Sequence, residues 1–122
     1  MQSAAQTYRN VARQISSPRE LEAHLLLRFA SQLQSIKDNW NDKKHGLESA
    51  LFDNRQLWMV FLTSVTGEEN PLPLEIRQNI ANLGLFVLNH TLSLIADPQP
   101  QRLAPLININ RNIAAGLLGR AA

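Results

Sequence analysis

The alternation of apolar and polar positions is most regular between Leu47 and Val65, where apolar side chains recur three, four or seven residues apart. This is the repeat of one face of an α-helix, and no glycine or proline interrupts it. Asn54 stands where the repeat expects an apolar residue, with Arg55 beside it and Trp58 one turn later. We therefore predict a central helix whose apolar face has one polar break.

The same period predicts further helices on both sides of this segment. Their ranges are 3–16, 18–39, 73–96 and 102–118. Ser3 can cap the first of them. The second has a stronger start signal, because Ser17 and Glu20 can form a capping box around Pro18, which suits the first helical position. Residues 39–46 are polar and rich in turn formers, so we expect a loop there.

Two of these helices have unusual apolar faces. Over residues 73–96 a stripe that includes Ile76 and His90 is widened by Leu85, Phe86 and Leu88. We expect this helix to be buried on more than one side. The remaining members of that stripe are Ile80, Leu83, Val87 and Leu94. The last helix has a polar break of its own, Asn110 followed by Arg111, at the missing position of the repeat.

No segment alternates with the two-residue period of a strand. The pattern predicts an all-α fold, a compact bundle of four to five helices in a single domain over residues 1–122. No cysteine is present, so disulfides and thiolate metal ligands are excluded. The N-terminus lacks the apolar core of a signal peptide, and no apolar run approaches the ~20 residues of a membrane span. We expect a cytoplasmic protein that does not enter a membrane.

The net charge of +2 is unevenly distributed. All ten carboxylates lie in the middle of the chain, whereas the two ends contain only arginine as a charged residue. If the ends meet, they form one positive face, which would suit an RNA-binding protein. Against this, the terminal arginines have almost no aromatic side chains between them to stack on bases.

Catalytic and metal-binding patterns are missing. Glu20 and His24 are one helical turn apart, but the sequence suggests no third ligand. No nucleophile is grouped with a base, and there is no glycine-rich phosphate loop. We expect no enzyme activity and no cofactor or metal.

Four blocks of the sequence resemble the FlaF family of flagellar biosynthesis regulators, in the same order and over about residues 4–119. The blocks are SPRELEAHLL, ALFDNRQLW, NPLPLEIRQNIANLGLFV and LININRNIAAGL. The resemblance implies a cytoplasmic chaperone that binds flagellin before its export and promotes flagellin synthesis, acting with an FlbT-like regulator. It implies no catalytic residues.

A flagellin-binding role and an RNA-binding role on flagellin message both stay open, as does a homodimer formed through surplus apolar surface. A helical bundle can bind an amphipathic helix of flagellin in an apolar groove. The residues we predict as partner-binding candidates are Trp40, Asn54, Arg55, Trp58, Asn110 and Arg111. For Asn54, Trp58 and Asn110 the alternative is a place in the core, with the two amides bonded to each other.

Overall fold

The computed structural model describes Ser3, Ala4, Gln6 and residues 18–67 and 69–119. Its helices are α1 (Pro18–Asp38), the single turn α2 (Trp40–Lys43), α3 (Leu47–Thr66), α4 (Leu74–Ala96) and α5 (Ala104–Leu117). Tight 3-10 turns, Lys44–Gly46 and Pro100–Leu103, precede α3 and α5. No strand occurs in the described part of the chain, which confirms the all-α fold.

Helix boundaries agree with the sequence pattern except at the two polar connections. The predicted loop 39–46 is wrong, because α2 and a 3-10 turn fill it and carry the chain from α1 into α3. The last helix begins with a 3-10 turn instead of an α-helical one. Both differences lie in short stretches that are too brief to show a helical period in sequence.

One helix start can be compared with its prediction and one cannot. Ser3 Oγ accepts a hydrogen bond from the Gln6 backbone N–H at 3.2 Å, and Gln6 Oε1 accepts one from the Ser3 N–H at 3.1 Å. This reciprocal pair is the expected cap. The rest of the predicted helix 3–16 and the capping box of Ser17 lie outside the described residues.

The core lies between α1, α3 and α5. Helix α1 packs against both α5 and α3, and α4 packs against α3. Most of the largest fully buried side chains come from these three helices, such as Phe29 from α1, Trp58 from α3 and Leu106 from α5, while α4 adds Val87 and Leu94. Helix α4 is therefore the outer member of the bundle, held mainly by α3.

Contrary to the sequence prediction, α4 is buried on one side only. Its buried residues are Ile80, Gly84, Val87, Thr91 and Leu94, which we call the inner seam. They follow an alternating spacing of four and three residues, as in knobs-into-holes packing. The predicted stripe began at Ile76, which is exposed, and the widening residues Leu85 and Phe86 are exposed as well.

A clamp of polar contacts holds the C-terminal end of α4. The Arg102 guanidinium donates to the backbone oxygens of Ser93 (3.3 Å) and Asp97 (2.9 Å) and to the Ser93 hydroxyl. His90 Nε2 lies 2.7 Å from the Arg102 carbonyl oxygen, so this nitrogen carries the proton and donates. Arg102 thus adds hydrogen bonds to the carbonyls at the end of α4, where the Ser93 carbonyl also accepts one from the Asp97 N–H at 3.0 Å.

Candidate partner-binding surface

The two polar breaks of the sequence meet inside the bundle. Asn110 Nδ2 donates to Asn54 Oδ1 at 2.7 Å and to the Leu26 carbonyl oxygen at 3.3 Å. Asn110 Oδ1 accepts a hydrogen bond from Trp58 Nε1 at 2.9 Å. One amide on α5 therefore connects α3 and α1 across the core.

This network places three of the partner-binding candidates where a partner cannot reach them in this conformation. Asn54, Trp58 and Asn110 all have 0% of their surface exposed. Their polar atoms bond to one another, with one exception, since Asn54 Nδ2 is buried without a hydrogen-bond acceptor. Leaving a donor unsatisfied costs about 1–3 kcal/mol, so the network stabilises the bundle less than a complete one would.

The other three candidates reach the surface at separate places. Arg55 is half-buried on α3, and Arg111 is exposed on α5. Neither forms an ion pair with a described carboxylate. Trp40 is half-buried at the start of α2. The structure therefore does not gather the six candidates into one site.

Trp40 instead borders a cavity of about 320 Å³ between α2, α3 and the end of α4. Apolar side chains of Leu47, Leu51 and Ile95 form much of its wall. Lys44, His45, Glu48 and Pro98 complete the lining. A mostly apolar cavity with charged groups beside it can accept an apolar side chain of a partner protein.

The outward side of α4 carries a second regular stripe, apolar at every position but one, which we call the outer seam. Its members, again spaced four and three apart, are Leu74, the polar Gln78, Ala81, Leu85, Leu88, Leu92 and Ile95. Leu74, Leu85 and Leu92 are 60%, 56% and 60% exposed. The seam lies roughly a third of a turn around the helix from the inner seam, so packing against α3 leaves most of it exposed, with Ala81 and Leu88 half-buried.

The outer seam runs into the Trp40 cavity, because Ile95 belongs to both. It also contains no charged residue, since none occurs in this sequence between Arg77 and Asp97. Further exposed apolar side chains on α3 are Phe52, Met59 and Val60. An exposed apolar ridge of this length on a small protein typically marks a contact with another macromolecule.

Two carboxyl groups away from the seam are shielded from water. Burial raises the pKa of Asp53 on α3. Burial also raises the pKa of Glu22 on α1, and the nearby charge of Arg19 partly offsets this. Glu22 borders a small cavity where it faces Phe61 and Ile113. Each carboxylate therefore opposes folding at neutral pH.

The described residues contain no group of three or more histidine and acidic side chains that could hold a metal ion. Helix α4 is long and apolar enough to cross a bilayer by length and composition alone, with 23 residues and a mean hydropathy of 1.3 over its most apolar stretch. A single helix of this kind is weak evidence for a membrane span, and 28% of that stretch is buried inside the structure. The chemistry available on the outward side of α4 is apolar contact.

Sequence reasoning indicates surplus apolar surface over residues 83–88 as a place for a partner helix, but it misses the length of the outer seam and the Arg102 clamp. The expectation that this helix is buried on more than one side is wrong, because α3 covers only the inner seam. Arg102 was grouped with the basic ends of the chain, whereas its guanidinium is occupied by Ser93 and Asp97. Of the other terminal arginines, Arg9, Arg13 and Arg120 lie outside the described residues.

Comparison with protein families gives one match, to the family described as flagellar protein FlaF, over residues 4–117. Comparison with curated proteins and with solved structures found no match. The family match spans nearly the whole chain and includes every described helix. It also covers the four sequence blocks that carried the resemblance. The chain therefore belongs to the FlaF family of flagellar proteins.

Proposed function

We propose that this protein is a cytoplasmic secretion chaperone that binds flagellin and thereby promotes flagellin synthesis and export. The observation that carries the proposal is the outer seam, an exposed and uncharged apolar ridge on a protein of a flagellar family. The FlaF resemblance implies flagellin as the partner. The terminal segments of flagellin are amphipathic helices, whose apolar faces match such a ridge.

The surface has room for a helix and for an anchoring side chain at its end. A partner helix lying along Leu85 and Leu92 would reach the Trp40 cavity beyond Ile95. Lys44 and Glu48 beside that cavity can contact polar groups at the end of the bound helix. We propose Trp40 as a contact at the edge of this site. Arg55 on α3 and Arg111 on α5 reach the surface elsewhere and are kept as separate candidates.

An RNA-binding role receives less support. Arg102, one of the arginines that would form the positive face, is committed to capping α4. The outer seam exposes apolar side chains, and apolar burial does not select phosphate. An FlbT-like regulator would then act beside this protein on flagellin, with this chain contributing the flagellin contact.

The test is calorimetric titration against purified flagellin and against the leader of its message, each at low and at ~0.3 M salt. We expect binding to flagellin that tolerates the added salt and has a negative heat-capacity change, because apolar surface is buried. RNA binding would weaken steeply with salt because it releases counterions. Tight binding to the leader with none to flagellin would contradict the proposal.

A pair of variants locates the site. Leu85→Glu places a charge in the middle of the outer seam and is expected to lower flagellin affinity by about 100-fold, because the carboxylate would be buried unpaired. Val60→Glu is the matched control, since Val60 on α3 is 57% exposed and Leu85 is 56% exposed. Equal losses in both variants would move the binding site away from the outer seam.

A further inference from the structure

The outer seam has the regularity of a helix–helix interface and not of a scattered surface. Seven positions from Leu74 to Ile95 keep the alternating spacing of four and three, and all of them except Gln78 are apolar. The inner seam uses the same spacing to pack α4 against α3. A helix with two such seams has the sequence of an inner helix, which contacts a helix on each side. In the described part of the chain, only one of those helices is present.

The charge pattern selects the missing helix. In helix pairs of this type, charged residues beside the seam set partner choice by attraction and repulsion. From Gln78 to Ala96 the residues beside the outer seam carry no formal charge and include the amides Asn82 and Asn89. Amides both donate and accept, so they can pair with their own kind in a second copy of the same helix. The charged neighbours, Glu75 and Arg77, lie only at the start of α4, beside Leu74 and Gln78.

We infer that two copies of this chain associate through their outer seams, with the two α4 helices packed side by side. The resulting assembly would place α4 between α3 of its own chain and α4 of the other chain. A twofold-symmetric contact uses the same surface on both copies, which requires a self-complementary surface such as this one.

The ends of α4 favour an antiparallel arrangement. Glu75 lies at the start of the helix and Asp97 just after its end. Parallel helices would bring each of these carboxylates next to its own copy and would align the two helix dipoles. In an antiparallel pair the midpoint of the seam, near Leu85, meets the same residue of the second copy. Leu74 would then be far from its counterpart.

The dimer itself does not depend on the proposed function. One consequence of the dimer, competition with flagellin, does rest on the proposed function. Because the second copy and the flagellin helix would occupy the same seam, they should exclude each other. The protein would then shield its apolar ridge as a dimer when flagellin is scarce and bind flagellin as a monomer when it is abundant.

Light scattering of the full chain over a range of concentrations tests the dimer. The wild-type protein is expected to approach twice the 13.7 kDa mass of the chain as its concentration rises. Leu85→Glu should raise the dissociation constant by at least about 100-fold, since two carboxylates would face each other. Val60→Glu should leave it unchanged. A wild-type protein that stays monomeric, or equal effects of the two variants, would overturn the inference.

Single cysteines test the arrangement, because the natural sequence has none. Leu85→Cys should form a disulfide-linked dimer under mild oxidation, while Leu74→Cys should not. Cross-linking at Leu74 with none at Leu85 would overturn the antiparallel contact. These outcomes are independent of flagellin. If the dimer forms but flagellin binds equally to Leu85→Glu and wild type, the proposed binding site fails and the dimer stands.

Discussion

At the scale of single residues, Asn110 organises the interior. Its amide donates to Asn54 and to the Leu26 carbonyl and accepts from Trp58, so α5 is joined to both α1 and α3. The Asn54 side-chain oxygen, the Leu26 carbonyl oxygen and the Trp58 N–H would each be costly to bury without a partner, and each of them bonds to the Asn110 amide. These hydrogen bonds form only when the side chains of the helices lie at matching positions, so the network fixes the register in which α5 packs against α1 and α3. Apolar contacts alone discriminate less between registers.

The two asparagines should differ in their contribution to stability. Asn110→Ala leaves Asn54 Oδ1 and Trp58 Nε1 without partners, and we expect it to lower the free energy of unfolding by about 3 kcal/mol. Asn54→Ala removes the unsatisfied Nδ2 and leaves Asn110 bonded to Leu26, so we expect about 1–2 kcal/mol. Urea denaturation measures both.

The double variant of these asparagines should lose less than the sum of the single losses, because the two side chains share one hydrogen bond. Strictly additive losses, or a larger loss for Asn54→Ala than for Asn110→Ala, would contradict the network as described.

Buried Asp53 gives the protein a dependence of stability on pH. Because burial raises its pKa in the folded state, the charged carboxylate opposes folding at neutral pH. As the pH falls through the folded pKa toward the unfolded value, the group takes up a proton and this penalty disappears. The contribution of Asp53 therefore stabilises the fold as pH is lowered. Asp53→Asn should be more stable than wild type at pH 7. Its free energy of unfolding, measured by urea titration, should rise less on acidification than that of the wild-type protein. Identical pH slopes for the two proteins would show that Asp53 is not shielded.

At the scale of elements, α4 combines two requirements in one sequence. Its inner seam needs close approach to α3, and Gly84 provides it. A Cβ added there would lie 2.7 Å from Leu62 Cδ2 and 2.9 Å from Leu62 Cγ. Its outer seam presents Leu85 and Leu92 to the outside. The clamp at Arg102 then holds the end of α4, next to the fully buried Thr91 and Leu94.

Replacing Gly84 by valine should separate α3 from α4. We expect Gly84→Val to lower the free energy of unfolding by about 1–3 kcal/mol, because the added methyl groups overlap Leu62. Gly116→Val is the matched control, since this helical glycine on α5 has nothing within 4 Å of an added Cβ. Its effect should stay within about 0.5 kcal/mol. Equal thermal shifts in both variants would rule out close packing at Gly84.

At the scale of the whole molecule, the core and the proposed binding surface lie on different sides of the bundle. Helices α1, α3 and α5 enclose the core with the asparagine network, and α4 lies outside them with its ridge exposed. A partner on the outer seam would touch α4 and the Trp40 cavity without disturbing the network. The two tryptophans consequently report on different events, Trp58 on core integrity and Trp40 on binding.

Fluorescence of single-tryptophan variants can separate these events. In Trp58→Phe the remaining emission comes from half-buried Trp40, and we expect it to shift toward shorter wavelength when flagellin covers the cavity. In Trp40→Phe the emission of buried Trp58 should not change on flagellin addition. A response from Trp58 alone would mean that binding opens the core and does not use the outer surface.

Much of the architecture follows from the sequence alone. The 3.6-residue period and the absence of strand patterns determined an all-α bundle, and the bounds of α1, α3 and α4 came within one or two residues. The pattern also indicated Asn54 and Asn110 as paired exceptions. These features are local, because a helix forms its hydrogen bonds within its own segment.

Only the tertiary structure decided which apolar surfaces are covered. A leucine pattern is the same whether the leucine faces a neighbouring helix or the outside. The sequence therefore separates Val87 and Leu94 on the main stripe from Leu85 beside it, but it does not show that Leu85 stays exposed. Arg102 could not be recognised as the clamp of α4, since its role depends on where Ser93 and Asp97 end up in space. Burial and hydrogen bonds between distant segments are properties of the assembled chain, and they place the candidate surface on α4.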